Sequence, residues 1–424
     1  MSPIKRLSGL LLIVKRSLRQ HALSTAITLL SVALASGLVM AVFCVNDQTY
    51  DAFTGGPVGF DAVLGARGSQ LQLVLNTVFH LETSPGNVPW ELYTTVKKDP
   101  RVQLAIPYAV GDNYRGFRIV GTTEEIFTQF EYQKGRKLTP EAGGRVFDPR
   151  RREAVIGRTV AQKTGLRVGS VFNPYHGVVY DTSKRHEEEY VVAGVTGISN
   201  SPSDRVVWIP IEGIFRMEGH VLRGTGEEYR ATAGEEIPDK HKEVSAVMLK
   251  FKSPQAGFAM DQTINKQGKV STLAWPIGAV MAELFDKIGW VNKILGLVAY
   301  LVVVVAAGSI MASIYNTMNE RRREFAILRA LGAKRRTVFS AIVLESTAIA
   351  TLGSVLGYAV YGAIVVAAAI VVKQQTGVVL DPLKFHPSLV LTLAGMVGVG
   401  ALSGVVPAFK AYATDVASNL VAAS

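Results

Sequence analysis

The sequence predicts a membrane protein in which four transmembrane α-helices carry a large mixed α/β extracytoplasmic domain, inserted between the first and second helices. Three observations support this fold class. Four apolar segments each reach the length of about 20 helical residues that a bilayer requires. A charged block, residues 46–293, separates the first segment from the other three. Basic stretches flank the apolar segments, and 48% of the 424 residues are hydrophobic, as in a membrane protein with a water-exposed domain.

The predicted spans are residues 22–45, 291–318, 337–372 and 387–409. The first span does not read as a cleavable signal peptide. Its charge-free run is 24 residues long, whereas the apolar core of a signal peptide has about 7–15 residues. No small-residue cleavage site follows it at residues 43–46. We therefore expect a retained anchor.

The distribution of basic residues predicts the orientation. Residues 1–21 carry five bases and no acid, and residues 319–336 carry seven bases and two acids. The block at 46–293 is almost balanced, with 30 bases and 29 acids. Because short cytoplasmic segments are enriched in Lys and Arg, we expect an amphipathic N-terminal segment, residues 319–336 and the tail 410–424 in the cytoplasm. The domain 46–290 and a short loop, 373–386, would then lie outside.

The net charge of +11 does not indicate a nucleic-acid-binding protein. The excess of bases lies beside the predicted spans, so the expected partner is anionic membrane lipid, and we expect no nucleic acid. Cys44 is the only cysteine, which excludes a disulfide within the chain. The extracytoplasmic domain must therefore be stabilised by its own core.

The domain 46–290 contains the short Val- and Ile-rich runs of a mixed α/β fold. The predicted strands are residues 118–121, 153–157, 190–194, 206–210 and 244–251. Helices are predicted at residues 89–98 and 254–266, and a short helix after residue 156 is expected to end at Gly165, before a turn at Gly169. Residues 219–243 are charged and poorly periodic, which predicts a surface loop.

We expect no catalytic residue, cofactor site or metal site in this chain. His176, His186 and the run Glu187–Glu189 lie close together in sequence, but their spacing matches no metal-ligand template. The motifs GxSxG and HExxH are absent. The phosphate-binding motif GxxxxGK[ST] is also absent, so this chain is not expected to hydrolyse ATP.

Residues 319–336, NERRREFAILRALGAKRR, have the pattern of a short amphipathic helix at the inner membrane surface. Phe325, Leu328 and Leu331 share one side, and Arg321 lies within reach of Glu324 at the i+3 position. Gly332 is placed to end the helix. A basic loop that only fixes the orientation is the alternative, but it would need neither an ordered apolar side nor a defined end.

Polar and small residues inside the later spans suggest helix packing. Gly353 with Gly357, and Gly400 with Gly404, form two GxxxG motifs, each of which could mark a tight interface or have no special role. Glu345 is a carboxylate inside a predicted span, where it is costly unless it is paired or reaches the membrane surface. We expect a structural hydrogen bond there rather than proton transfer.

Residues 316–346, NTMNERRREFAILRALGAKRRTVFSAIVLES, closely resemble the signature of the MacB/FtsX-type ABC transporter permease family. The residues that fill the positions of the signature are Arg323, Glu324, Ala330, Leu331, Gly332 and Glu345. Weaker similarity extends to residues 15–28, to EAVIGRTVAQKTGLRVGSVF at residues 153–172, and to SGVVPAFKA at residues 403–411.

The resemblance implies a mechanotransmission permease subunit in a bacterial inner membrane. ATP would be bound by a separate ATPase, which would dock under residues 320–332; about twenty residues precede the first span, so no ATPase domain is expected before it. The coupling residues it implies are Arg323, Glu324, Phe325, Leu328, Arg329, Leu331 and Gly332. A second permease copy, identical or related, would complete the complex, with room for a periplasmic adaptor or a substrate-binding protein.

Three functions remain open from the sequence. The first is export or extraction of a hydrophobic or amphipathic substrate, such as a lipid, lipoprotein, peptide or drug. The second is a non-transporting transmembrane signaller that activates an envelope hydrolase or a sensor. The third is a membrane-anchored adhesion or receptor protein without an ATPase, which a neighbouring ATPase gene would exclude. The binding partner of the extracytoplasmic domain would separate the first two.

Overall fold

The chain, in a computed structural model, forms two compact units that we call the helical unit and the sheet unit. The helical unit comprises residues 1–48, 288–370 and 381–424, and the sheet unit comprises residues 49–287 and 371–380. The structure describes residues 3–55, 58–217, 222–224, 227–229 and 236–413.

The α-helices of the described residues are α1 Pro3–Gln20, α2 Ala22–Thr54, α3 Gln70–Thr77, α4 Trp90–Lys97, α5 Glu125–Thr128, α6 Arg158–Thr164, α7 Ile211–Phe215, α8 Pro254–Asp261, α9 Ile277–Glu320, α10 Arg322–Ala330, α11 Arg335–Thr376 and α12 Pro387–Ala413. The strands are β1 Ala62–Ala66, β2 Val88–Pro89, β3 Val102–Tyr114, β4 Phe117–Thr122, β5 Glu153–Ile156, β6 Val171–Phe172, β7 Tyr175–His176, β8 Tyr190–Val195, β9 Val207–Pro210, β10 Leu222–Gly224, β11 Glu227–Tyr229, β12 Glu243–Val244, β13 Ala246–Phe251 and β14 Ser271–Ala274.

Four helices, α2, α9, α11 and α12, are long and apolar enough to cross a membrane. One lies near the N-terminus and three lie after the α/β region, which confirms the predicted fold class. The helices are longer than the spans marked by hydropathy: α9 begins at Ile277 instead of residue 291, and α11 continues to Thr376 instead of residue 372. A helix can continue into water because its backbone hydrogen bonds are internal, whereas hydropathy detects only the apolar part.

Both GxxxG motifs lie where helices of the helical unit approach closely. A Cβ atom added at Gly353 would lie 2.6 Å from Val32 Cβ on α2, and one at Gly357 would overlap Ser36 Oγ. Cβ atoms at Gly400 and Gly404 would overlap Ala350 and Ser346 of α11 respectively. The glycines of α11 therefore face α2, and those of α12 face α11, within one chain.

The sheet unit is built on one large mixed sheet, whose strands follow the order β14-β1-β13-β3-β4-β9-β5-β8-β6, with β7 paired to β3. Most neighbours are antiparallel, whereas β4 with β9 and β5 with β8 are parallel. Along β13, Val247 and Leu249 enter one apolar cluster, and Ala246 and Met248 enter another. Because alternate side chains of a strand point to opposite faces, the sheet has an apolar layer on each side.

The predicted elements of this unit are found with shifted bounds. Strands occur at four of the predicted positions as β4, β5, β8 and β9, while residues 244–251 divide into β12 and β13. The short helix α6 ends at Gly165, whose φ of +78° is left-handed. The helix predicted at 254–266 changes at Gln262 from α to π geometry. The predicted loop 219–243 contains the antiparallel strands β10 and β11, and the remainder up to residue 235 lies outside the described residues.

Candidate coupling site

The segment that joins α9 to α11 forms a separate short helix, α10, with a sharp end. α9 ends at Glu320, α10 begins at Arg322, and Gly332 has a φ of +98°. The Ala333 N–H donates to Leu328 O at 3.0 Å, and the Gly332 N–H donates to Arg329 O at 3.0 Å. These two bonds form a Schellman motif. The predicted helix end at Gly332 is confirmed, and glycine suits it because its left-handed backbone costs little.

The apolar side of α10 faces the helical unit itself, which corrects the sequence prediction. Phe325 is 9% exposed and lies in an apolar cluster with Val338 and Ile342 of α11. Leu328 packs against the same cluster. Leu331, by contrast, is 81% exposed. Periodicity showed that these residues share a side, but not that the chain's own helices cover most of it. Phe325 is therefore not available as a docking anchor.

A different face of α10 is exposed. Arg323, Ile327 and Leu331 recur at intervals of four residues, which places them along one stripe of the helix. Ile327 is 44% exposed, and the Arg323 side chain is exposed as well. We call these three residues the exposed face of α10. Of the other coupling residues predicted by the resemblance, Glu324 and Gly332 are exposed, and Arg329 is half-buried.

A polar cluster lies behind α10, and we call it the junction cluster: the buried residues Ser17, Arg321 and Glu345, together with the exposed Glu324. Arg321 Nε lies 2.8 Å from Glu324 Oε2, which confirms the predicted i+3 pair, and Arg321 Nη1 lies 3.7 Å from Glu345 Oε2. Ser17 Oγ of α1 donates a hydrogen bond to Glu345 Oε1. The bond from Arg321 holds the pKa of Glu324 below its usual value, although partial burial acts in the opposite direction.

The junction cluster ties α1 and α11 to α10. Ser17 is fully buried, and Arg321 and Glu345 are 6% and 7% exposed. The Arg321 guanidinium also lies 5.1 Å from the centroid of the Phe325 ring, a cation–π distance. Nearby, His21 Nδ1 lies 3.0 Å from Glu320 Oε2. Sequence reasoning anticipated a hydrogen bond for Glu345 but missed Ser17 and Arg321 as its partners, because Ser17 is 328 residues away in the chain.

A second group of polar side chains lies in the sheet unit. His176 is in β7, and His186 precedes β8. Both have a ring nitrogen near Asp112 Oδ1, at 3.4 Å and 3.2 Å respectively. In the sequence, the two histidines lie near the run Glu187–Glu189, whereas Asp112 is distant and lies in β3. The cross-strand pairing of Asp112 with His176 is the signal that local spacing could not supply.

Two family models match this chain. The FtsX-like permease C-terminal model covers residues 296–416, and the MacB-like periplasmic core domain model covers residues 25–266. The chain is also 22% identical over 427 residues to the macrolide export ATP-binding/permease protein MacB of Hyphomonas neptunium (strain ATCC 15444). That alignment covers 98% of this chain and 61% of the relative, so the chain spans about three-fifths of the relative's length.

Two solved structures are similar in part. The extracellular domain of the noncanonic ABC-type transporter YknZ from Gram-positive bacteria is 15% identical, with a TM-score of 0.27, and the match covers 50% of this chain and 97% of that one. The periplasmic region of MacB from Actinobacillus actinomycetemcomitans is 11% identical, with a TM-score of 0.33, covering 54% and 94%. Both scores are below 0.5, so the family assignment rests on the family models. With its four apolar helices, the chain is a multi-pass membrane protein of the MacB/FtsX-type ABC transporter permease family.

Proposed function

We propose that this chain is the permease subunit of an ABC transporter, and that ATP hydrolysis by a separate ATPase chain moves its extracytoplasmic domain. That motion would export or extract a hydrophobic or amphipathic substrate. Family membership supports the permease assignment and suggests an ATPase subunit as its partner. The proposal places the ATP on that partner because the 424 residues contain no GxxxxGK[ST] motif. The basic residues at 1–21 and 319–336 support cytoplasmic termini in a bacterial inner membrane.

The observation that carries the proposal is the construction of α10. A loop that only fixes orientation needs basic charge and nothing more. Here the nine-residue helix ends in a Schellman motif at Gly332, and its Phe325 is seated among the chain's own helices. Its exposed face carries two apolar side chains, Ile327 and Leu331, beside the charged Arg323. Such a face suits a groove on a partner protein.

The contacts behind α10 provide a route for force. Phe325 packs on α11, and Arg321 lies beside Glu345 of the same helix. Glu345 is in turn bound by Ser17 of α1. A push on the exposed face of α10 would therefore reach two other helices through packed and hydrogen-bonded groups, instead of being absorbed by a flexible loop. In this proposal the junction cluster couples the docking site to the spans.

A second permease copy would pair with this chain within the membrane. The helix α9 carries large apolar side chains at its surface, including Tyr300, Val304 and Val305, which are 59%, 66% and 66% exposed. In a bilayer such a surface faces either lipid or another helix. The pairing surface would lie on exposed apolar side chains of this kind, which α12 also carries at Leu391 and Leu402, and lipid would surround the remainder. A periplasmic adaptor or a substrate-binding protein would be a further partner.

The test is ATPase recruitment by variants of the exposed face. The permease, carrying an affinity tag, is purified from its native membranes, and the ATP hydrolysis that co-purifies is measured per permease. We expect the double variant Ile327→Ala/Leu331→Ala to lose about tenfold or more, because interface anchors contribute about 2 kcal/mol or more. Leu383→Ala is the matched control, since Leu383 is 92% exposed outside α10, and it should co-purify normal activity.

Phe325→Ala is expected to behave differently. Because Phe325 is buried in the chain's own core, its truncation should lower the amount of permease in the membrane rather than the activity per permease. Normal activity of the Ile327→Ala/Leu331→Ala variant would refute docking at the exposed face and leave residues 319–336 as a topogenic segment. Absence of any co-purifying ATP hydrolysis with the wild-type chain would refute the ABC transporter assignment itself.

A further inference from the structure

We propose that Asp112, His176 and His186 bind one divalent transition-metal ion in the sheet unit, with Zn²⁺ as the best match. We call these residues the Asp112 triad. Each residue offers one ligand atom, and these atoms all lie within 4.8 Å of one another. Two imidazoles and one carboxylate form a donor set that zinc accepts with a further position open. Imidazole ligands disfavour Mg²⁺ and Ca²⁺, which prefer oxygen ligands.

The fold of the sheet unit brings the triad together. Asp112 of β3 is the cross-strand partner of His176 of β7, and directly opposed residues of an antiparallel pair have neighbouring side chains. Tyr175 of β7 pairs in turn with Arg185 through an isolated bridge. The His186 N–H then donates to Pro174 O at 2.9 Å. Two successive pairings therefore place His186 on the same side as His176.

The distances fit a shared cation. In a tetrahedral zinc site with bonds of about 2.0–2.1 Å, neighbouring ligand atoms are about 3.3–3.4 Å apart. Asp112 Oδ1 lies 3.4 Å from His176 Nδ1 and 3.2 Å from His186 Nε2. The first separation exceeds the usual N–H···O range of about 2.7–3.2 Å, and the second is at its upper end. Both match an edge of a coordination tetrahedron more closely than a tight hydrogen bond.

Burial and access also suit a metal site. Asp112 is fully buried and His186 is 8% exposed, so two ligands are held within the protein. The His176 side chain is 50% exposed, which leaves a path from solvent and freedom for this ring to adjust. With two buried ligands and one half-exposed ligand, the site can be reached by an ion from solvent.

Backbone and amide contacts hold the segments that carry the ligands. The Asn113 side-chain amide donates to Gly177 O at 2.8 Å, and the Gly177 N–H donates to Gly111 O at 2.8 Å. The Asn173 amide donates to the backbone oxygens of His186 and Glu188 at 3.2 Å and 3.1 Å. These contacts hold the backbone on either side of His176 and His186 in place. They also mean that a bound ion would fasten β7 and the segment before β8 to β3.

The experiment measures zinc binding by the full-length chain in detergent, purified with a tag that contains no histidine. The protein is stripped with a chelator and titrated with Zn²⁺ against a chromophoric competitor. We expect one ion per chain, unaffected by millimolar Mg²⁺ or Ca²⁺. His176→Ala should weaken the affinity at least tenfold, since even outer-shell changes cost about 10–100-fold. His176 is half-exposed, so this variant should fold.

His386→Ala is the matched control. His386 Nε2 lies 3.3 Å from Asp47 Oδ2, which gives one imidazole beside one carboxylate without the geometry of the triad. This variant should bind zinc like the wild type. A second measurement is the unfolding temperature, which zinc should raise clearly less in His176→Ala than in the wild type. Failure of the wild type to take zinc from the competitor, or unchanged affinity in His176→Ala, would overturn the proposal.

Discussion

The junction cluster of the helical unit and the Asp112 triad of the sheet unit both bury a carboxylate among groups from distant parts of the chain. Glu345 is 7% exposed and meets Arg321, and Asp112 is fully buried and meets two histidines. The difference lies in the basic partner. A guanidinium is always charged in proteins, so it neutralises a carboxylate permanently. A free imidazole has a pKa of about 6.5, and when it is neutral its ring nitrogen offers a lone pair that can bind a metal ion.

This difference separates a structural ion pair from a ligand set. In the junction cluster, Arg321 lies within 4 Å of both Glu324 and Glu345, so the chain itself supplies the cation that faces the buried carboxylate of Glu345. In the Asp112 triad, two ring nitrogens converge on one carboxylate oxygen, and they can serve a cation. Removal of Arg321 from the junction cluster should therefore strongly lower the free energy of unfolding. Removal of one imidazole from the Asp112 triad should cost much less in the metal-free protein, and its main effect should be to weaken metal binding.

The largest expected effect is therefore from Arg321→Met. Removal of one partner from a buried ion pair costs about 3–5 kcal/mol, because the remaining charge is left in a poorly solvated place. Arg321 is 6% exposed, so water cannot easily replace it. We expect the free energy of unfolding, measured in mixed detergent micelles, to fall by that amount.

The double variant Arg321→Met/Glu345→Met tests the reason for this loss. Replacement of both members of a buried pair with apolar residues is often neutral or stabilising, so the double variant should recover most of the stability lost in the single one. If the double variant is as unstable as Arg321→Met, the lost energy comes from packing of the Arg321 side chain against Phe325, and the contrast between the two clusters fails.

Local features of this chain could be predicted from the sequence. Hydropathy, which needs no tertiary contact, predicts the four spans, and the end of α10 follows from Gly332, a residue whose left-handed φ of +98° a glycine adopts readily. The Arg321–Glu324 pair follows from helical spacing. Strands such as β4 and β5 follow from short Val- and Ile-rich runs that end at glycine.

Features that depend on tertiary contacts could not be predicted. Periodicity predicts that α10 has an apolar side, but the sequence does not say whether Phe325 faces a partner or the chain's own α11. Asp112 and His186 are 74 residues apart, and only strand pairing brings them together. The two GxxxG motifs were consistent with a packed or an open surface, and the choice depends on Val32, Ser36 and Ala350 of neighbouring helices.

A smaller effect is expected from His186→Gln in the metal-free protein. His186 is 8% exposed and its Nε2 lies 3.2 Å from Asp112 Oδ1. Glutamine can keep a donor near this oxygen, and a net hydrogen bond contributes about 0.5–1.5 kcal/mol. We expect a loss of about 1 kcal/mol in the free energy of unfolding, well below that of Arg321→Met. A loss equal to that of Arg321→Met would show that the histidine acts as a permanent countercharge.

The smallest expected effect is from His176→Ala without metal. The His176 side chain is half-exposed, and surface substitutions usually change stability by less than about 0.5 kcal/mol. Melting curves of the stripped wild type and the stripped variant should therefore nearly coincide.

Zinc should then separate the two curves. An ion that binds only the folded chain stabilises it by about 2.7 kcal/mol when its concentration is one hundred times the dissociation constant. A variant with tenfold weaker binding gains about 1.4 kcal/mol less under the same conditions. The comparison without zinc is the necessary reference, because a variant that is already destabilised in the stripped protein would point to a structural role for His176. Coincident curves without zinc and separated curves with zinc would identify its ring as a ligand, and would leave Arg321 as the contrasting case in which the chain supplies its own cation.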